Sequence, residues 1–262
     1  MIRKNQKWSL LLHVMFLFVN TWMYAQNTDS SIHLYNLKTV VSVTNNGVSL
    51  IPTFSLGKPA VIFDASIGRR LSFDPLVRFS MEGKPWAFIF WWRYKLLKPS
   101  NKFQMNIGAH PAILFKTLID TSDGLSKEII SGRRYLVGEL NPYFSLTNNL
   151  IIGLYYTYSR GIEKEDVRNT HFITARVGFY NIRMSKKILI NLVPQFYYLK
   201  MDKRDGFYFT SSFTIAKNDF PLSISTIINK TIQSEIASKG LIWNVTLNYT
   251  FNKKYVEYSP ET

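Results

Sequence analysis

The sequence predicts an all-β protein, a single antiparallel transmembrane β-barrel of about 12 strands (roughly 10–14) that follows a cleaved signal peptide. Three observations lead to this prediction. Short segments of alternating polarity fill the chain from residue 48 to residue 251. Aromatic residues make up 15% of the chain, and its N-terminus combines basic residues with a short apolar stretch. Aromatic-rich strands without long apolar runs are typical of a barrel with one face in lipid.

The clearest predicted strand covers residues 240–251. One of its faces is wholly apolar and consists of Leu241, Trp243, Val245, Leu247, Tyr249 and Phe251. Aromatic residues stand at both ends of that face, where a lipid-facing strand meets the two membrane interfaces. The segment also resembles the C-terminal strand of outer-membrane β-barrels, which typically ends on Phe with an aromatic residue two positions earlier. We therefore predict that Trp243, Tyr249 and Phe251 form a signal read by the outer-membrane barrel assembly machinery.

The N-terminus predicts export. Arg3, Lys4 and Lys7 precede the apolar stretch Leu10–Val19, and a plausible cleavage point follows Ala25. That stretch is shorter than the roughly 20 residues of a transmembrane helix, which argues against the alternative of an uncleaved anchor. We predict that residues 1–25 are a signal peptide and that the mature chain resides in the outer membrane of a Gram-negative bacterium.

Composition excludes several functions. The chain has no cysteine, so neither disulfides nor thiol catalysis is available. The net charge is +15, and the basic residues recur at strand ends instead of forming a single patch. This spacing suits outer-membrane lipids, including lipopolysaccharide, as partners, and argues against nucleic acid. Beyond the leader, His33, His110 and His171 are widely scattered, so we expect no metal site and no cofactor.

Turn residues divide the chain into twelve candidate strands. These are 48–56, 60–68, 71–82, 86–97, 102–117, 133–146, 150–160, 170–182, 187–200, 206–216, 221–230 and 240–251. The predicted organisation is thus a periplasmic lead-in at 26–47, a barrel at 48–251 and a periplasmic tail at 252–262. The longer connections, 118–132, 161–169 and 231–239, all fall on one side of the barrel. Since outer loops are longer than periplasmic turns, these three are predicted to be extracellular.

A soluble β-sandwich would show the same alternation, but it would not explain the export signal or the aromatic strand ends. In segment 86–97 the alternation predicts a lipid-facing set, Trp86, Phe88, Phe90, Trp92 and Tyr94. Three stretches are similar to a small, porin-like outer-membrane β-barrel family of Gram-negative bacteria. They are Gly57-Lys58-Pro59, Phe73–Trp92 and Pro194–Tyr198. This resemblance implies architecture and no particular activity.

The same alternation predicts which polar residues face the lumen. They are Asp74, Arg78, Glu82, Arg93, Lys95, His110, Glu139, Arg176 and Gln195. One hypothesis is a passive pore in which these charges select small polar or anionic solutes. The alternative is a closed lumen whose charges pair with one another, in a barrel with a structural role or with loops that bind a partner.

A membrane-embedded lipid hydrolase is the third hypothesis. It would need a His followed closely by a Ser on a lipid-accessible face, and neither His110 nor His171 is followed by one. Thr170 and His171, with Asp166 nearby, are the one set that could be assembled into a site at the rim. Because nothing in their spacing requires this, we predict that the protein is not an enzyme.

Overall fold

The computed structural model describes residues 34–98, 101–120, 127–164 and 166–256, so the predicted signal peptide lies outside the described residues. Twelve antiparallel strands follow one another around a closed barrel, and β1 closes it against β12. The strands are β1 Leu34–Thr44, β2 Ala60–Gly68, β3 Leu71–Ser80, β4 Pro85–Lys95, β5 Phe103–Asp120, β6 Lys127–Ser145, β7 Leu150–Gly161, β8 Asn169–Arg183, β9 Ile188–Met201, β10 Arg204–Lys217, β11 Leu222–Ser234 and β12 Leu241–Val256. The predicted fold class and strand number are confirmed.

Alternation sets the two faces of each strand, as strand β12 shows. Trp243 and Tyr249 are 52% and 49% exposed, whereas Asn244 and Thr246 are buried. The buried polar residues of this strand face the interior of the barrel. Because successive side chains point to opposite faces, the exposed apolar residues face outward. Because the barrel is closed, the backbone groups of its strands are hydrogen-bonded to one another and no strand edge is left unpaired in lipid. The apolar outer surface suits contact with the acyl chains. The chain is thus built as an integral outer-membrane barrel.

The two ends of the barrel differ. Turns such as 69–70, 146–149 and 184–187 are short and lie at the end where β1 begins and β12 finishes. The connections at the opposite end include 45–59, 162–168 and 235–240. Short periplasmic turns and longer extracellular loops are the rule in this architecture, so we assign the second end to the cell exterior.

The first predicted strand is wrong. Residues 48–56 belong to the connection between β1 and β2, and a 3-10 helix, Pro52–Phe54, interrupts them. The barrel starts instead at Leu34, within the segment predicted as a periplasmic lead-in, which pairs with β2 from Asn36 to Thr44. Proline within an apolar run disfavours a central strand, because it cannot donate to the ladder. The barrel also continues beyond residue 251, since β12 extends to Val256.

A second difference concerns the predicted loop 118–132. The strands β5 and β6 pair as far as Asp120 and Lys127, so most of this segment is a projecting β-hairpin. Beyond Leu114 the pairing of β5 with β4 has ended, and beyond Tyr135 that of β6 with β7 has ended. The hairpin therefore rises above its neighbours on the extracellular side.

The register shifts once between β3 and β4, between Arg78 and Phe79. Such a shift reverses the faces of the residues beyond it. As a result Trp86, predicted to face lipid, is 3% exposed and points inward, whereas Trp92 is 52% exposed and faces outward as predicted. Within the described residues, the structure holds no helix with the length and apolar character needed to cross a membrane.

Candidate functional site: a charged lumen beneath an inserted loop

The connection 45–59, which we call the inserted loop, folds into the lumen from the extracellular end. Its neck is a backbone pairing in which the N–H of Gly47 donates to the carbonyl of Lys58 at 2.8 Å and that of Leu56 donates to Gly47 at 2.8 Å. Gly57 has φ 74°, a left-handed conformation that glycine adopts without strain. A Cβ at Gly47 would lie 2.9 Å from the Cβ of Leu56, so the neck needs glycine there.

Phe54, at the tip of the inserted loop, contacts two separate parts of the barrel wall. On one side it packs with inward-facing residues of β4–β6, where its ring centroid lies 5.7 Å from that of Tyr135. On the other it packs with the cluster of Phe172, Tyr197 and Tyr208 from β8–β10. These contacts place the inserted loop inside the extracellular half of the barrel, which it narrows.

Polar contacts hold the loop at several points. The indole N–H of Trp86 donates to the carbonyl of Phe54 at 2.9 Å, and the amide of Asn229 donates to the carbonyl of Leu50 at 3.3 Å. Asn229 is buried and also hydrogen-bonds the hydroxyl of Tyr197. Buried backbone carbonyls that keep a partner cost far less than unpaired ones. The loop is therefore seated as part of the interior.

Two other extracellular loops also pack into the mouth of the barrel. Ile236 from loop 235–240 is buried in the β8–β10 cluster, and Val167 from loop 162–168 packs against the same cluster. The loop 162–168 is tied to β6, since the guanidinium of Arg134 donates to Glu163 at 2.7 Å. This hydrogen bond holds the pKa of Glu163 below its usual range. Side chains from three loops thus occupy part of the extracellular mouth.

Below the inserted loop, three predicted lumen residues form what we call the charged cluster, together with Tyr155. The guanidinium of Arg93 lies 2.8 Å from a carboxylate oxygen of Asp74 and 2.7 Å from one of Glu139. The hydroxyl of Tyr155 donates to the second oxygen of Glu139 at 2.8 Å. The side chain of Glu139 is 1% exposed, so its charge depends on these partners.

The remaining contacts of the charged cluster lock it further. The hydroxyl of Ser66 donates to Asp74 at 2.6 Å. The guanidinium carbon of Arg93 lies 4.3 Å from the ring centroid of Trp91, a cation–π contact. His110 packs on the other side of the network, with ring centroids 3.8 Å from Trp91. Arg93, on β4, therefore links β3 and β6 along one stretch of the inner wall.

The other predicted residues are not part of this cluster. Arg176 donates to the amide oxygen of Asn141 at 2.6 Å, and Gln195 accepts from the hydroxyl of Thr174 at 3.5 Å. Arg78 stacks on the ring of Trp86 at 4.8 Å, higher in the lumen. Lys95 lies at the periplasmic end of β4 and is exposed.

The prediction for Glu82 is wrong. This residue follows the end of β3 in the extracellular turn, where its carboxylate lies 3.5 Å from the ammonium of Lys58 and 3.9 Å from that of Lys84. The strand ends at Ser80, two residues earlier than predicted, which takes Glu82 out of the alternation. It belongs to a surface ion-pair network that also includes Glu128.

The rim residues considered for catalysis lie apart. Thr170 is 2% exposed and faces the interior, whereas its neighbour His171 faces outward and contacts the hydroxyl of Tyr156 at 2.9 Å. Asp166 lies 3.5 Å from Arg133. Among the described residues no group of three or more His, Cys, Asp or Glu is placed to hold a metal ion.

Between the inserted loop and the charged cluster lies a cavity of about 150 Å³. Leu50, Ile51 and Phe54 form its roof, and Trp91 and His110 belong to its opposite side. No local pattern in the sequence indicates this cavity, because the cavity depends on where the loop folds. Its available signals were Pro52 and the Gly57-Lys58-Pro59 turn, both of which disfavour the strand predicted there.

Comparison of the sequence with protein-family models and with curated proteins finds no match. Solved structures of barrels do match. LpxR from Salmonella typhimurium is 9% identical over 82% of this chain and 99% of its own, with a TM-score of 0.48. The KdgM porin is 10% identical over 82% and 99%, with a TM-score of 0.45. An outer membrane channel from Pseudomonas putida F1 is 11% identical over 87% and 97%, with a TM-score of 0.42. At this similarity they carry no inference about activity.

Proposed function

We propose that the protein is an outer-membrane barrel whose lumen is closed at rest by its own inserted loop, and that it acts as a structural or surface-binding component of the membrane. The observation that carries this proposal is the position of the inserted loop, which is hydrogen-bonded to Trp86 on β4 and to Asn229 on β11, five strands apart around the barrel. A permanently open passive pore would need a continuous, wide aqueous path, and a loop folded into the extracellular half of the lumen narrows that path.

The charged cluster favours the same function. In an open pore, charges at a constriction are available to passing ions. Here Arg93 is bound to two carboxylates, and Glu139 also accepts from Tyr155. Charged side chains that are paired in this way stabilise the barrel interior and interact only weakly with a solute.

A second candidate function is a channel that opens when the inserted loop withdraws. It is favoured by the cavity beneath the loop, because the interior there is not fully packed. Asn106, Asn141 and Gln195 lie on inward-facing strand positions nearer the periplasm, where they would line a polar path. Arg176 and Lys95 would then bias such a path toward anions.

The test is planar-bilayer conductance of the refolded barrel, compared with a variant in which residues 48–56 are replaced by a short Gly-Ser linker. For a closed barrel, we expect no steady conductance from the natural chain and steady conductance from the variant. Brief, voltage-dependent openings of the natural chain would support the gated channel. Steady, ungated conductance of the natural chain would overturn the proposal.

A matched control keeps the test interpretable. Residues 127–128 lie in the projecting hairpin of β5 and β6, and replacing them with Gly-Ser residues leaves the three loops of the mouth in place. This control should remain silent in the bilayer. If both variants conduct equally, the inserted loop has no special part in closure.

A further inference from the structure

The outer face of strands β7, β8 and β9 carries a cluster of polar side chains near the extracellular interface of the membrane. Tyr158 lies directly opposite His171, and His171 lies directly opposite Lys200. One step toward the exterior, Arg160 lies opposite Asn169. These side chains point outward, since their neighbours along each strand face the lumen. We call the set Tyr156, Tyr158, Arg160, Asn169, His171 and Lys200 the rim cluster.

Hydrogen bonds fix the rim cluster. The hydroxyl of Tyr156 lies 2.9 Å from Nδ1 of His171, and the hydroxyl of Tyr158 donates to the amide oxygen of Asn169 at 2.8 Å. Arg160 donates to that same oxygen at 3.1 Å. Aromatic residues with polar tips suit this depth, where the ring contacts acyl chains and the tip reaches headgroups. The group is therefore preorganised before any ligand binds.

The cations of the rim cluster are accessible, whereas nearby carboxylates are already engaged. Asp202 accepts the backbone N–H groups of Arg168 and Asn169 at 2.9 and 2.8 Å. Asp205 accepts from the hydroxyl of Tyr198 at 2.9 Å. Within the described ranges, neither Arg160 nor Lys200 has a carboxylate within 4.0 Å.

The position of the rim cluster also specifies its environment. Below it on the same face lie apolar side chains, including Leu154, Ile173 and Phe196, which are 50%, 43% and 62% exposed. A ligand on the rim cluster would therefore place an anionic group beside the cations and hydrocarbon chains along these residues. Cationic side chains at such a depth are stabilised by lipid phosphates.

We infer that the rim cluster is a binding site for the phosphate groups of lipopolysaccharide in the outer leaflet. Arg160 and Lys200 would supply the positive charge, and the Tyr and His side chains would frame the headgroup. Guanidinium and ammonium groups are strong donors to phosphate oxygens. The extracellular location favours lipopolysaccharide over the phospholipids of the inner leaflet.

The experiment measures binding of purified barrel, by native mass spectrometry, to bisphosphorylated lipid A, to lipid A without phosphates and to phosphatidylglycerol. The test variant carries Arg160→Gln and Lys200→Gln. Since each basic residue near an anionic surface contributes about 1 kcal/mol, we expect the variant to lose roughly tenfold or more in affinity for bisphosphorylated lipid A. Binding of the phosphate-free lipid should not change.

The matched control carries Lys186→Gln and Lys187→Gln, which removes two cations from the turn at the other end of β8 and β9. This control should bind bisphosphorylated lipid A like the natural chain, and all three proteins should share one unfolding temperature. Equal binding by the test variant and the natural chain would overturn the inference. Equal affinity for phosphatidylglycerol would also overturn it, since the site would then recognise any lipid phosphate.

Discussion

The indole N–H of Trp86 donates a 2.9 Å hydrogen bond to the backbone carbonyl of Phe54. Trp86 belongs to the wall of the barrel and Phe54 to the loop within it, so this bond joins the two. Its geometry depends on the register shift beside Phe79, which turns Trp86 inward. A local irregularity between two strands thus creates the anchor for the loop that enters the lumen.

We expect Trp86→Leu to loosen the inserted loop. The substitution removes the hydrogen bond, whose net contribution is about 0.5–1.5 kcal/mol, and leaves a gap beside Gly47. Bilayer recordings should show more frequent openings than the natural chain. Trp92→Leu is the control, because Trp92 lies on the same strand but faces lipid. Equal opening by the two variants would mean that Trp86 does not anchor the loop.

Arg93→Leu should lower the stability of the barrel by a few kcal/mol, because it leaves Asp74 and Glu139 without their cation. The double variant Arg93→Leu with Glu139→Leu should recover part of that loss. Unfolding in urea, followed by the mobility of the folded barrel on a gel, measures both. Lys95→Leu, on the same face two residues further, should have little effect. If the double variant were less stable than the natural chain by the sum of the losses of Arg93→Leu and Glu139→Leu, the residues would be uncoupled.

Tyr249→Asp and Phe251→Asp should reduce the amount of assembled barrel in the outer membrane. Both side chains face outward and are 49% and 39% exposed, so a carboxylate there would enter lipid. Thr250→Asp is the control on the same strand and should assemble better than either. Membrane yield, measured on heat-modifiable gels, compares the three. Equal yields would contradict the assignment of the two faces.

The absence of cysteine makes labelling of single-cysteine variants direct. A membrane-impermeant maleimide applied to whole cells should label Lys164→Cys, in an extracellular loop, but not Asn148→Cys, in a periplasmic turn. Permeabilised cells should label both. Labelling of Asn148→Cys on intact cells would reverse the orientation of the barrel.

Loop 162–168 should also respond to acid. The hydrogen bond from Arg134 lowers the pKa of Glu163. The ionised Glu163 carboxylate therefore stabilises the loop fully at pH values above the usual carboxyl pKa. That contribution is lost as the pH falls through the lowered value. The Lys164→Cys thiol should therefore react faster in acid, after correction for the thiol's own ionisation. Adding Glu163→Gln should abolish the pH-dependent component, and an unchanged pH profile would contradict this origin.

Alternation along a single strand was enough to assign most faces. In β12 it separates Trp243 from Asn244, and in β4 it separates Trp92 from Arg93, because a regular strand keeps period 2 from end to end. It therefore predicted Asp74, Arg93 and Glu139 on the inner face. Their mutual contact needs strands β3, β4 and β6 in register, which no local pattern specifies.

The inserted loop could not be found in this way. An apolar run such as 48–56 has the same alternation whether it joins a sheet or fills a lumen, and only its long-range partners distinguish the two. Phe54 packs with Tyr135 and with the cluster that contains Tyr197, and these residues are more than 80 positions away in the sequence. Trp86 was placed on the wrong face for a related reason, since one register shift breaks the parity from which faces are read.

The neck of the inserted loop lies beside the seam where the barrel closes. The backbone N–H of Asn45 donates to Val245 at 3.2 Å, and the side chain of Asn46 donates to the carbonyl of Trp243 at 2.9 Å. The first and last strands therefore meet next to the segment that occupies the interior. We therefore expect the seating of the inserted loop and the pairing of β1 with β12 to be coupled during assembly, because the same hydrogen bonds contribute to both.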